Sequence, residues 1–460
     1  MATRCEKLRY LILAQEGLVS IVIQNSMQSI SGARRSHGSG LRSARFLMGA
    51  AIAFLPVLCH AQTAPTYTIS AAVGTGTSGF SGDGAAAIDA ELNFPSSIVM
   101  DTAGNLYIAD QGNYCIRKVD TSGNISTIAG DNTNGDTGDS GAATSAEIGS
   151  AAGIAVDSSG NIYFSDPSHQ VIRKISTTGI ITTFAGTGAS GFTGDTTPYL
   201  IAYNLANNIT TVIVATSAQI NTPTGIAVDS KGNVYFSDTG NNRIRRISVT
   251  DSTINTVAGD GTGAYYGDGA GALYAEINHP TAMVFDASDN LYFADSLNNR
   301  IRKISAADGT ISTVAGFGEP GKAGDGGLAV NALLHYPSSV SLDSTGNLYI
   351  ADLVNNRVRM VNTSGIISTI AGSGRFGNDG DGGPALAATM YFPSGVAVDP
   401  TGNVYVIDNL NDRIRLLTPD AATTTTTGTT TGTTTGSPTG STNQPILPVR
   451  RVVTRPAKSE

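Results

Sequence analysis

Residues 222–238 read TPTGIAVDSKGNVYFSD, and how this stretch folds decides how the whole chain folds. Gly225 to Asp229 is a short apolar run that ends on a carboxylate. The next residues, Ser230 to Asn233, bring Gly and Asn into a tight connection, where both tolerate positive φ. Val234 to Asp238 then alternates with the period of a half-buried strand. A polar loop from Thr239 to Asn242 leads to the run Arg243 to Ile247, and a last run, Ile254 to Gly259, completes the unit. The stretch is read as part of four short antiparallel strands joined by tight turns.

The string recurs as FPSSIVMDTAGNLYIAD at 94–110, SAAGIAVDSSGNIYFSD at 150–166, HPTAMVFDASDNLYFAD at 279–295, YPSSVSLDSTGNLYIAD at 336–352 and FPSGVAVDPTGNVYVID at 392–408. The Asp closing the first strand sits at 101, 157, 229, 286, 343 and 399, with spacings of 56, 72, 57, 57 and 56. Four-stranded units at a regular spacing are the signature of propeller blades. The chain has no Trp, so the WD-repeat signature is excluded. A fourth-strand string follows the first five units, but the sixth runs out near Leu417. Its counterpart, Tyr67 to Gly74, stands at the front. The sequence therefore predicts an all-β, six-bladed propeller of four-stranded blades, closed by the N-terminal strand, which hides edges that would otherwise pair with other chains.

The repeated Pro-x-Gly-(Val/Ile)-Ala-Val-Asp, Gly-Asn-(Leu/Val)-Tyr-(Ile/Phe)-(Ala/Ser)-Asp and Asn-Asn-Arg-Ile-Arg strings resemble the NHL-repeat family of six-bladed β-propellers over about residues 67–417. The chain is most similar to the long-repeat bacterial variety, with a Gly-Asp-Gly connection between blades. The resemblance implies a non-catalytic platform for a protein, peptide or glycan ligand. Two enzymatic readings come with it as the alternative, a metal-assisted lyase or a lactonase centred on the channel. NHL-fold amidating lyases use a His-ligated zinc site, and gluconolactonase-like propellers use acidic and Asn ligands.

Residues that recur in every blade read as structural, since function on a repeat scaffold normally sits in one place. Tyr107, Tyr163, Tyr235, Tyr292, Tyr349 and Tyr405 are expected to pack between blades. Arg117, Arg173, Arg245, Arg302, Arg359 and Arg415 lie seven residues after the Asp that ends the second strand. Their guanidinium forks are expected to pair with carboxylate or stack on Tyr. The connections carry Gly82-Asp83-Gly84, Gly267-Asp268-Gly269, Gly324-Asp325-Gly326 and, at 378–382, NDGDG. Calcium is a candidate there, but no copy has the regular carboxylate ladder with a distal Glu. A turn into a short helix, with Asp or Gly near its start and Pro384 at a first helical position, accounts for the pattern without metal.

Candidate ligand-binding residues are those that break the repeat. His279 and His335 stand near the starts of neighbouring blades, which lie near one mouth of the channel, while His169 lies in a different loop. That distribution argues against a three-His zinc site. From the Gly ending one blade to the start of the next takes 21 residues in five cases, but 37 between 186 and 223. The insertion within 187–221 holds Tyr199, Tyr203 and the β-prone run Thr210 to Ala215, and is read as a rim hairpin or a specificity loop.

Outside the repeats the chain reads differently. Arg42 and Arg45 precede an apolar run, Phe46 to Leu58, and Cys59-His60-Ala61 places small residues at positions −3 and −1 of a cut before Gln62. That is the pattern of a secretory signal. Residues 1–61 are therefore taken as an N-terminal extension and signal, 62–420 as the propeller, and 421–460 as a Thr/Gly-rich linker with a basic tail. Met27 would make a more ordinary start than Met1. After such a cut Cys115 alone remains, so the exported fold has no intramolecular disulfide. Gly, at 55 of 460 residues, is turn punctuation rather than disorder. Removing seven bases and two acids before residue 62, and four bases and one acid after 420, leaves the propeller with 17 bases and 33 acids, a net charge of −16. That charge and the export signal argue against nucleic-acid partners, including the RNA ligands of some animal NHL proteins. A secreted, periplasmic or cell-surface monomer with no transmembrane helix in its mature form is expected, and no cofactor beyond the calcium candidate.

Overall fold

The computed structural model describes residues 65–195 and 214–421, and they form the predicted six-bladed propeller. Blade 3 shows the pattern: Pro223–Val228 on the channel, then Val234–Asp238, Arg243–Ile247 and Ile254–Ala258 at the outside, each antiparallel to the last. Blades 1, 2, 4 and 5 repeat it over 95–129, 153–185, 280–315 and 337–371. Blade 6 joins Pro393–Val398, Val404–Asp408 and Arg413–Pro419 to the N-terminal strand Tyr67–Val73. That strand pairs with the third strand from Tyr67 opposite Pro419 to Val73 opposite Ile414, and closes the ring as expected. The two-residue strand Gly383–Pro384 adds a fifth member outside it.

Each inner hairpin is pinned by its own sequence. In blade 1 the Asp101 carboxylate accepts the N–H groups of Ala103 and Asn105 at 2.9 Å and the Asn105 amide at 2.7 Å. Gly104 turns the chain at φ 91°. The same Asp-to-Asn lock recurs in the other blades. It turns polar residues into local hydrogen-bonding turns rather than binding groups.

The cores lie between blades, not within them. Tyr107 of blade 1 packs with Ile154, Ile162 and Phe164 of blade 2. Tyr163 joins Ile226, Val234 and Phe236 of blade 3, and Tyr349 joins Val396, Val404 and Val406 of blade 6. The recurrent tyrosines are thus inter-blade packing, as their register implies. Their hydroxyls are not idle: those of Tyr107, Tyr163 and Tyr349 donate to the turn Asp of their own hairpin.

The recurrent arginines are the largest fully buried side chains described, at 0% exposure. Arg117 holds Asp110 at 3.3 Å and, from the connection, Asp83 at 2.8 Å. The second contact corrects the reading of the Gly-Asp-Gly segments. Their Asp caps no helix, because the next element is a three-residue 3-10 turn, Ala87–Asp89, with no side-chain cap. It latches the connection to the buried arginine of the following blade. Pro384 is likewise not a first helical residue but the extended residue before the 3-10 turn Ala385–Ala387. Two latch residues carry no Gly-Asp-Gly and are legible only from the structure. Asp139 holds Arg173 at 2.8 Å, and Asp195 holds Arg245 at 2.9 Å. Nor do the arginines stack on the recurrent tyrosines. Arg117, Arg245 and Arg302 lie 4.8 to 5.1 Å from the rings of Phe80, Phe192 and Tyr265 in the connections. Behind each latch two Ala and an apolar residue, such as Ala87, Ala90 and Leu92, fill the wedge between blades.

Candidate functional site

The inner strands surround a channel holding a cavity of about 620 Å³. Its upper end is the one where each blade's second strand ends, and hydroxyl groups ring it. Ser96 donates to the Ala151 carbonyl of blade 2 at 2.7 Å, Thr281 to the Ser338 carbonyl of blade 5 at 3.0 Å, and Ser338 to the Ser394 carbonyl of blade 6 at 3.0 Å. Thr239 and Ser296 donate to the carbonyls of Pro280 and Pro337, both at 2.7 Å. Asn409 closes the girdle by donating to the Pro95 carbonyl of blade 1 at 2.8 Å. In blade 2 the first hydroxyl is replaced by Ala152, and Ser165 bonds the Thr224 carbonyl instead.

Above this girdle stands a rim with unusual backbone. The residue before the first Pro of a blade is left-handed at Phe94 (φ 48°), Thr222 (49°), His279 (55°), Tyr336 (52°) and Phe392 (54°). Each N–H is held by a side chain of the preceding blade: Asp412 for Phe94, Gln170 for Thr222, Asn242 for His279, Asn299 for Tyr336 and Asn356 for Phe392, at 2.6 to 3.0 Å. Those five acceptors are themselves left-handed. Blade 2 lacks the device: Tyr114 offers no carboxamide there, and Ser150 keeps an ordinary backbone, its N–H bonded to Ser168. Bulky residues in this region cost about 1 kcal/mol or more each, where Gly would cost nothing. Such strain concentrates at functional positions, where the side chain matters.

The rim is lopsided. Blades 4, 5, 6 and 1 present His279, Tyr336, Phe392 and Phe94, whereas blades 2 and 3 present Ser150 and Thr222. The Tyr336 hydroxyl lies 3.2 Å from His279 Nδ1 across the blade boundary, and Tyr336 lines the channel. Burial holds the His279 pKa below its ordinary value, so the ring is neutral at pH 7, and burial raises that of Tyr336. Tyr391 continues the arc between Phe392 (5.3 Å between ring centres) and Phe376 (5.6 Å), and Phe376 is 74% exposed.

Of the candidates read from the sequence, His279 sits on the rim, and its contact with the next blade is to Tyr336. His335 is the residue beside that tyrosine, half-buried, and its N–H donates to Asp352 at 2.8 Å. Phe94, Tyr336 and Phe392 are not legible as site residues in the sequence, because a large residue at the head of a blade carries no signal of a left-handed backbone. Tyr199 and Tyr203 lie outside the described residues, as does the secretory signal. The two ends of the insertion are described: Asp195 bridges to Ile254 and Val214 to Thr253, at the start of the outermost strand of blade 3. His169 occupies the loop position that holds Asn113, Asn241, Asn298, Asn355 and Asn411 in the other blades. Its Nδ1 lies 3.0 Å from the buried Asp166 carboxylate, and Arg173 Nη1 is left without a hydrogen-bond partner. Gly149 belongs to the same change, since a Cβ there would meet both Asp166 and His169.

Among the described residues no group of three or more His, Cys, Asp or Glu comes together as metal ligands, and no helix is long and apolar enough to cross a membrane.

Comparison with known proteins places these features in a family context. The family model described as "Teneurin NHL domain" matches residues 69–137, 133–197 and 315–379, and the "NHL repeat" model matches 221–247 and 390–415. Mouse Teneurin-3 is 31% identical over 248 residues, covering 49% of this chain and 8% of that protein. The chain thus spans only a small fraction of the curated relatives it matches. Among solved structures, a protein of unknown function from Bacteroides thetaiotaomicron superposes with a TM-score of 0.54 at 16% identity, covering 77% of this chain and 76% of that one. An auxiliary nutrient binding protein from Bacteroides ovatus superposes with a TM-score of 0.53 at 15% identity, covering 78% of each. At such identities the structural matches speak for the fold alone.

Proposed function

The chain belongs to the NHL-repeat β-propellers, and on that premise we propose that it is an exported binding scaffold whose upper channel mouth captures a protein, peptide or glycan ligand. One observation carries this reading: four neighbouring blades put an aromatic ring at the rim, His279, Tyr336, Phe392 and Phe94, each on a left-handed backbone, where blades 2 and 3 put Ser150 and Thr222. The rings are large, with few torsions to freeze, and their polar edges suit a recognition surface. The hydroxyl girdle beneath is engaged between blades and serves to hold the arc rigid. Export rests on the signal pattern ending at Ala61, and the Thr-rich segment after residue 421 would serve as a spacer.

The test is capture on arrays of immobilised glycans and peptides by the full-length chain. Saturable capture is expected from the native protein and not from a variant with Phe94→Gly, Tyr336→Gly and Phe392→Gly. Capture by both alike would overturn the reading.

A further inference from the structure

Repetition supplies an internal control: where one blade departs from the residue type the other five carry, the departure calls for a reason. Three departures meet at the junction of blades 3 and 4. The turn glycine seen as Gly104, Gly160, Gly232, Gly346 and Gly402 is Asp289 in blade 4, and Asp289 keeps the left-handed backbone at φ 59°. The residue before the turn Asp is Phe285, where the other blades carry Met or an aliphatic. The last residue of the 3-10 turn is Tyr274, where the others carry Asp89, Ser145, Ser217, Asn331 or Ala387. All three line one cavity of about 500 Å³.

The chemistry of that cavity is specific. Phe285 meets Tyr235 edge to face at 4.8 Å, and Tyr274, 77% exposed, forms a wall rather than core. Among the described residues, Asp229, Asp289 and Asp308 line it with a single cation, Lys231. Asp289 is fixed across the junction by Ser230, whose hydroxyl donates at 2.6 Å and whose N–H donates at 3.1 Å. Those bonds hold its carboxyl below the usual range, so it is charged at neutral pH, with lone pairs still free. The cavity shares Asp229, Phe285 and Asp289 with the lower end of the channel, opposite the rim.

We propose that this inter-blade cavity is a second binding site, for an organic ammonium ion on an apolar body. The body packs on Phe285 and Tyr274, and the ammonium bonds Asp289 beside the tyrosine face. Aromatic faces and carboxylates both favour a cation, and an apolar wall selects an organic one over a metal ion.

The test titrates 2-phenylethylammonium into the full-length protein by calorimetry, with neutral 2-phenylethanol as control. Tyr274→Ser and Asp289→Gly install residues that other blades already carry at these positions, so the fold is kept, and thermal melts check it. The ammonium should bind saturably, the alcohol at least about tenfold more weakly, and each variant should lose at least about tenfold in affinity. No saturable binding, equal binding of the alcohol, or native affinity in either variant would overturn the proposal.

Discussion

The guanidinium of Arg302 is wholly buried between two carboxylates, Asp295 at 3.4 Å and Asp268 at 2.7 Å. Asp295 is buried too, with Asn298 as a further donor at 2.9 Å. Removing the cation strands that carboxylate, which typically costs about 3–5 kcal/mol. Arg302→Met should therefore lower the stability of the propeller by that order in urea denaturation. Asp268→Asn, whose side chain is partly exposed, should cost about 1 kcal/mol. A loss well below 1 kcal/mol for Arg302→Met would contradict the latch. The arginine register and its first acid, seven residues upstream, were legible in the sequence. The second acid was not, because it lies 34 residues back on a segment whose Gly and Asp also suit a turn or a cation loop. Only the folded path of the connection brings Asp268 to Arg302.

The connections and the closing strand are the elements that make six blades into one molecule. Each connection leaves the outer strand, latches to the next blade's arginine, fills the wedge with small residues and enters the channel wall. Its alanines suggest a helix when read locally, but the inter-blade wedge admits only a single 3-10 turn. The closing strand behaves as the repeat count requires. Ile69 and Val73 are buried, and the Tyr67 hydroxyl lies 3.4 Å from that of Tyr349. Deleting residues 65–73 should bare the strand Arg413–Pro419 as an open edge. The truncated chain should then associate in sedimentation velocity and melt at a lower temperature. A monodisperse truncated protein with the native melting point would show that the ring does not depend on this strand. The rim tells the opposite story about legibility. Its left-handed backbone is held by a polar side chain of the preceding blade, as Asn242 does for His279, and no local pattern reports that bond.

At the scale of the whole molecule, two sets of carboxylates set opposite pH responses. Burial pushes Asp110 and Asp295 up to about 6, and raises Asp238, Asp352 and Asp408 as well, against their hydrogen bonds and arginines. In the unfolded chain an Asp titrates near ~3.9. The folded state then holds more protons between about pH 4 and 6, and stability falls as pH rises through that window. In the turn acids Asp101, Asp286, Asp343 and Asp399 burial acts upward too, but the turn hydrogen bonds outweigh it and lower them. Their contribution is present above about pH 4 and lost below it. The urea midpoint should therefore rise from pH 7 to pH 5 and fall below pH 4, whereas a steady fall from pH 7 to pH 5 would contradict the burial effect. The fold itself was legible almost entirely, because six copies of one string average out local ambiguity. Of the proposed rim, only His279 was singled out from the sequence, since a candidate site on a repeat scaffold is defined by its departures and by contacts across blades. If the aromatic rim is the binding surface, its removal must abolish capture without unfolding the ring. For a ligand captured on the arrays, the affinity of the native chain is compared with that of the Phe94→Gly, Tyr336→Gly, Phe392→Gly variant, with thermal melts beside it. A loss of at least about tenfold with folding intact is expected. Unchanged affinity in a folded variant would place the ligand elsewhere and refute the rim as the binding surface.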